Sequence, residues 1–119
     1  MTDDPAPEEL LPLPPATLHI LLAVSEGERH GYAIIQDVEA RTEGELRLSS
    51  GTLYRSIARM VEQGLIMEVA RKRRVSAGDS RRRYYRITSF GAAVARAEVR
   101  RLSQFVRHAV ARGLTPKLT

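Results

Sequence analysis

The placement of glycine limits this chain more than any other feature. Gly27, Gly44, Gly64 and Gly113 each follow a stretch in which apolar residues recur at helical spacing, and a glycine there favours a helix stop. The periodicity predicts helices over 16–25, with Leu18, Leu21, Leu22 and Val24 inward, and from His30-Gly31 to about Arg41, carrying Tyr32, Ile34, Ile35 and Val38. A third spans 51–63, with Leu53, Ile57, Met60 and Val61 on one face and Ser49 or Ser50 as its N-cap. A fourth runs from Thr88, as N-cap, to about Arg112. The first three are too short to be stable alone and must bury their stripes against one another. At 119 residues, 43% of them hydrophobic, the chain has material for one core.

Three strand-like segments interrupt the helices. Leu46 to Ser49 alternates apolar and polar residues and reads as a very short strand. Leu65 to Ala70 places Leu65, Met67 and Val69 on one face, and Arg83 to Ile87 places Tyr85 and Ile87 on one face. Between the last two lies a basic loop with Ser76, Ala77, Gly78, Asp79 and Ser80 at its tip, which suits a hairpin. The expected fold is mainly α with a small β wing. It comprises a flexible, acidic, Pro-rich arm over 1–14, a winged helix-turn-helix over 15–87, a C-terminal dimerisation helix over 88–113 and a tail over 114–119.

Composition excludes several classes of function. The chain has no cysteine, which removes disulfide frameworks, thiol nucleophiles, Cys-based zinc sites and iron–sulfur clusters. His19, His30 and His108 lie far apart, and no paired acids, Gly-x-Ser-x-Gly or phosphate-binding glycine loop occurs, so neither catalysis nor a cofactor or metal is expected. No apolar run approaches the roughly 20 residues of a membrane span. The acidic start is wrong for a signal peptide, and a cytoplasmic protein is expected.

Charge is divided along the chain. Residues 1–70 carry 12 acids and 5 arginines, a net of −7, whereas residues 71–119 carry 14 basic residues and 2 acids, a net of +12. The densest cluster, Arg71 to Arg86, sets Arg71, Lys72, Arg73, Arg74, Arg81, Arg82, Arg83 and Arg86 against Asp79 alone. Such a cluster repels itself unless an anion neutralises it, and polyanionic nucleic acid is the leading candidate. A charge run by itself is more often a solvated surface, so the neighbouring helix decides the reading.

On that third helix Thr52, Arg55, Ser56 and Arg59 are spaced i, i+3, i+4 and i+7, forming a polar face without an acid beside the apolar one. The DNA major groove admits one helix, arginine can donate two bonds to guanine, and serine and threonine bond bases or phosphates. We therefore expect DNA contact from Ser49, Ser50, Gly51, Thr52, Arg55, Ser56 and Arg59, with Arg73, Arg74, Arg81, Arg82 and Arg83 of the wing holding backbone phosphate or the minor groove. Tyr54 and Tyr32 each have two readings: Tyr54 bonds phosphate or covers the helix–wing junction, and Tyr32 bonds phosphate or packs in the core. His30 reads as a helix-start residue before a metal ligand.

The last helix carries more apolar surface than one wing domain can cover. Val99, Leu102, Phe105, Val106, Ala109 and Val110 are accordingly expected to pack against a second copy of the chain. A basic amphipathic helix could also lie on a membrane, but the dimer is preferred and no membrane partner is expected. A winged-helix module for RNA or protein is the competing function; the acidic first half favours it weakly and the Arg55/Arg59 face disfavours it.

The chain resembles the PadR-type winged-helix transcriptional regulators. The likeness runs from Pro12 to about Val94 in order and spacing: Leu21-Leu22, Glu26-Gly27, His30-Gly31-Tyr32, Ser49-Ser50-Gly51-Thr52-Leu53-Tyr54, Gly64-Leu65-Ile66, Arg82-Arg83-Tyr84-Tyr85-Arg86-Ile87-Thr88 and Gly91. Ser50 departs from the proline common before Gly-Thr-Leu-Tyr, and Met60-Val61 departs from the usual Leu-Glu. The resemblance implies a homodimeric repressor on inverted-repeat operators in double-stranded DNA, in the shorter branch with a single C-terminal helix. It also implies, for part of the family, response to a phenolic or other small hydrophobic effector. A pocket for such an effector would be apolar and lie between the last helix and the first.

Overall fold

A computed structural model describes residues 5–70 and 83–114. After a 3-10 turn at Pro7–Leu10, the elements are α1 (Pro15–Val24), β1 (Arg29–His30), α2 (Gly31–Arg41), α3 (Ser50–Glu62), β2 (Ile66–Val69), β3 (Tyr84–Ile87) and α4 (Ser89–Ala111). The protein is mainly helical, with a small antiparallel sheet in the order β1-β3-β2. Register pairs Ile66 with Ile87 and Val69 with Tyr84 on one side of β3, and Arg29 with Tyr85 on the other.

The core lies where α1, α2 and α3 meet the sheet and the first turns of α4. Ile20, Leu21, Val24, Ile34, Val38, Leu53, Ile57, Met60, Leu65, Ile66, Tyr85 and Val94 are buried together. Complete burial of such a side chain stabilises by about 1.5–3 kcal/mol, and this contact among short helices is what holds them helical. The starts of α2, α3 and α4 each have a side-chain cap: His30 Nδ1 accepts from Ala33 N at 3.1 Å, Ser49 Oγ from Thr52 N at 3.1 Å, and Thr88 Oγ1 from Gly91 N at 2.9 Å.

Four sequence expectations need correction. Leu46 to Ser49 is not a strand. Its alternation is real, with Leu48 buried and Arg47 exposed, but the free edge of β3 is taken by Arg29–His30, and Leu46 N donates instead to Thr42 Oγ1 at 3.1 Å. The inward faces also differ: Leu22 and Val61 are exposed, while Ile20, Ala23 and Thr17 are buried in α1. In the hairpin Leu65 precedes the strand, Ile66 is buried, Met67 is exposed, and Tyr84 and Tyr85 are both buried, because β3 is the central strand. Finally, part of the expected flexible arm, from the Pro7–Leu10 turn to Leu13, is docked on the domain. Leu10, Leu11 and Leu13 pack against the core and Leu13 N donates to Glu98 Oε2 at 2.9 Å.

Glu98 is only 2% exposed yet fully partnered. Besides Leu13 N, it accepts from Arg101 Nε at 2.5 Å and Nη2 at 3.0 Å, and the guanidinium holds its carboxyl below the usual carboxylate range against the opposing effect of burial. A carboxylate held low in the folded state stabilises above its ordinary pKa and loses that contribution as pH falls through the folded value. We expect wild type to be more stable than Glu98→Gln at pH 7, and the difference between their urea unfolding free energies to shrink below about pH 4. A difference that persists unchanged into acid would contradict the charged pairing.

Gly91 of α4 has no room for a side chain: a Cβ there would collide with the Leu65 carbonyl oxygen and lie 2.9 Å from its carbon. Alanine raises helix propensity by about 1 kcal/mol, but forcing backbone apart costs roughly 1–3 kcal/mol or more, so the clash dominates. Gly91→Ala should lower the urea midpoint, with a net loss of about 1 kcal/mol or more and an unchanged denaturant slope.

Candidate nucleic-acid interface

The N-terminal turn of α3 is organised by its cap. Ser49 Oγ accepts from Thr52 N and donates to Thr52 Oγ1, both at 3.1 Å, and Arg55 Nη2 reaches Thr52 Oγ1 at 3.5 Å. Gly51 stands under this guanidinium, since a Cβ built on it would be 3.4 Å from Arg55 Nη1. The first turn of α3 carries no acid, so its free amides and helix dipole add to the positive potential of Arg55. Ser49, Ser50, Gly51, Arg55 and Arg59 are exposed, and Thr52 and Ser56 are half-buried along the same face. Leu53, Ile57 and Met60 lie buried on the other side, so the polar face is held outward by the core.

Tyr54 links α3 to α2. Its hydroxyl would clash with a Cβ at Gly31, and its Cζ would be 2.9 Å from that atom, so the ring rests on the bare backbone at the start of α2. Half of Tyr54 remains exposed, as does 59% of Tyr32 beside Gly31. Core packing is therefore not the role of Tyr32. The Tyr54 ring covers the α2 start while leaving its edge in solvent. His30 caps α2 and meets the Tyr84 ring edge-on at 5.4 Å between centroids, joining this corner to the sheet.

Of the wing residues expected at DNA, Arg73, Arg74, Arg81 and Arg82 lie outside the described residues. Arg83 is exposed, with Nη1 3.7 Å from Glu68 Oε1 of β2. Between groups this exposed, such a pair contributes little and gives way readily to a phosphate. Arg86 is an exposed cation on β3 opposite Met67 that was counted in the basic cluster but not among the expected contacts. Its place on a strand between two buried tyrosines and the half-buried Ile87 is what the run of arginines concealed.

The second surface lies on α4. Val99, Leu102, Phe105, Val106 and Val110 are exposed and Ala109 is half-buried. Val99 is shared by two open grooves. One, of about 430 Å³, is lined by Leu22, Ala95, Arg96, Val99 and Arg100, between α1 and α4; the other, of about 380 Å³, by Val99, Leu102, Ser103, Val106 and Arg107. Leu22 was read from the sequence as core, and its exposure extends the apolar stripe onto α1. Among the described residues no helix is long and apolar enough to cross a membrane, and no three metal-ligating side chains gather.

Residues 20–97 match the model of the transcriptional regulator PadR-like family. An uncharacterised protein of Lysinibacillus sphaericus is 38% identical over 74 residues, which cover 62% of this chain and 65% of the relative. Among solved structures, a transcriptional regulator from Clostridium thermocellum superimposes with a TM-score of 0.68 at 23% identity, covering 84% of this chain and 90% of the other. A PadR family transcription regulator from Clostridium difficile gives 0.66 at 24%, covering 84% and 98%. A PadR-like regulator from Bacillus cereus gives 0.64 at 23%, covering 85% and 92%. At these identities the structures share the fold with this chain.

Ser49, not Ser50, carries the cap. Ser49→Ala should cost about 1 kcal/mol in urea unfolding whereas Ser50→Ala should cost a few tenths or less. Equal losses would contradict the capping geometry.

Proposed function

The chain belongs to the PadR-like family of transcriptional regulators, a DNA-binding family, and from this we propose that it binds an inverted-repeat operator as a homodimer and represses transcription there. The observation that carries the reading is the outward face of α3. Two exposed arginines and a capped, acid-free first turn stand opposite a fully buried face, and the helix is fixed to α2 through Tyr54 on Gly31. In this reading α3 enters the major groove, where Arg55 reads a base edge with Thr52 and Ser56, and Arg59 follows the groove. Tyr32 and Tyr54, with Ser49, Ser50 and the bare backbone at Gly51, meet phosphate at the groove edge. Arg83 and Arg86 extend the positive surface toward the basic segment that holds Arg73, Arg74, Arg81 and Arg82.

The dimer is supported by the exposed stripe of Val99, Leu102, Phe105, Val106 and Val110 with Ala109. A run of this kind on one helix face fits a partner helix of the same kind. A small hydrophobic effector fits the groove of Leu22, Ala95 and Val99, whose walls are apolar and whose Arg96 and Arg100 can hold a phenolate. Bound there, it would wedge α4 from α1 and release the operator.

Binding-site selection from a random duplex pool tests the reading. Wild type should enrich two inverted half-sites, and Arg55→Ala should weaken operator binding by about 1–3 kcal/mol per half-site while affecting random DNA less. Replacing wing arginines should weaken both and flatten the salt dependence. Leu102→Glu should sediment as a monomer at micromolar concentration. Equal affinity of wild type for operator and scrambled duplex, or a monomeric wild type, would overturn the respective claim.

A further inference from the structure

The two halves of α4 have different surroundings. Gly91, Val94, Ala97 and Glu98 are buried, whereas from Leu102 to Val110 every residue but the half-buried Ala109 is exposed. The helix is therefore anchored over its first turns and then projects, with the dimer stripe on the projecting part. One anchor is its start, where Thr88 N donates to Leu65 O at 3.1 Å and Thr88 Oγ1 donates to Gly64 O at 2.5 Å. The other is Glu98, the last buried residue before the projection, which takes the Leu13 amide and Arg101.

The segment reaching Glu98 is suited to a rigid strap. Leu13 lies between Pro12 and the pair Pro14-Pro15, so its N–H is the lone backbone donor from 12 to 15, and the prolines hold the segment extended with little entropy left to lose. The strap runs along a flank of α4, where Glu8, Leu11 and Pro12 face Ala97, Arg100, Arg101 and Gln104 across a cleft of about 390 Å³. The α1 groove of Leu22, Ala95 and Val99 flanks another side of the helix. Arg101, held by Glu98, also stacks over the Phe105 ring at 5.4 Å, carrying the clasp into the first turn of the projection.

We propose that Glu98 is a positioning residue: by clasping Leu13 of the N-terminal arm and Arg101 together, it fixes the direction in which α4 leaves the domain, and so sets the half-site spacing that the dimer accepts. The spacing clause rests on the inverted-repeat homodimer proposed above. Lever geometry makes the effect large. From Gly91 to Glu98 is about 10 Å of helix and from Gly91 to the end of α4 about 30 Å, so 1 Å of slack at the clasp moves the tip about 3 Å. Two subunits joined at their tips would then shift their reading helices by up to about 6 Å, which is nearly two base pairs at about 3.4 Å each.

The test uses the full chain, whose lack of cysteine allows clean labelling. Spin labels on Gln36→Cys in α2 and His108→Cys in α4, diluted with unlabelled protein, report the distance between the two helices within one subunit. The same variants are selected against duplexes holding the half-sites at varied spacing. Wild type should give one narrow distance and prefer one spacing by about tenfold. Glu98→Ala, and Leu13→Pro, which removes the donated amide together with the leucine's packing against the core, should broaden the distance and reduce the preference to within about twofold. Glu98→Gln, which keeps an acceptor for Leu13, should recover most of the narrow distribution. Far-UV circular dichroism and binding to a single half-site identify variants that merely unfold. Distances as narrow in Glu98→Ala and Leu13→Pro as in wild type would overturn the proposal, as would broadened distances with spacing preference intact. If wild type itself selects no paired half-sites, the operator reading and the spacing clause fall together, and the distances alone decide whether Glu98 directs α4.

Discussion

The contact of Gly91 with the Leu65 carbonyl is the constraint on which the rest of the arrangement depends. Gly64 and Leu65 close α3 and open β2, while Thr88 and Gly91 close β3 and open α4. Thr88 ties the four together by donating to the carbonyl oxygens of both Gly64 and Leu65 and accepting from Gly91 N. α3, the sheet and α4 thus share one hydrogen-bonded corner with no side chain between two backbones. A Cβ at Gly91 would push α4 off this corner, and with it the exposed apolar stripe of Val99 to Val110.

The parts of this arrangement that were legible in the sequence are those set by local chemistry. Thr88 and Ser49 are helix caps because a hydroxyl is available where a first-turn amide needs an acceptor, and both positions can be read without tertiary information. The polar face of α3 follows from spacing alone. What was hidden depended on partners distant in the chain. Leu46 to Ser49 has the alternation of a strand and lacks only a neighbour, while Arg29–His30, two residues with no strand pattern, gains one from β3. The proline-rich arm looked unstructured because its holding interaction is with Glu98, 85 residues away. Glu98 itself is one acid in a basic helix, and nothing in its surroundings in the sequence marks it as buried.

Charge is arranged by the same division between local and distant. The half of the chain with net −7 contributes α3, which is positive only where Arg55 and Arg59 stand, while the surplus of +12 falls mainly on the basic segment after β2, on β3 and on α4. Two acids of α2 are paired with arginines: Asp37 accepts from Arg41 Nε at 2.8 Å, and Glu39 lies 2.8 Å from Arg47 Nε. Such exposed pairs add little stability. The acids of α2 lie beyond its first turn by sequence, which leaves the α2 start near Tyr32 and Tyr54 without an acid.

The seat of Tyr54 on Gly31 has a consequence for how recognition is energised. With its ring against bare backbone, the angle between α2 and α3 cannot open unless the aromatic ring leaves its seat, so the pair moves as one rigid body. Under the proposed reading, the ordering entropy of presenting Arg55 and the two phenols at a fixed separation is met when the chain folds, and little would remain to be lost when a duplex arrives. Two sequence motifs, His30-Gly31-Tyr32 and Gly51-Thr52-Leu53-Tyr54, are thereby a single thermodynamic unit: neither the glycine nor the tyrosine has its function without the other.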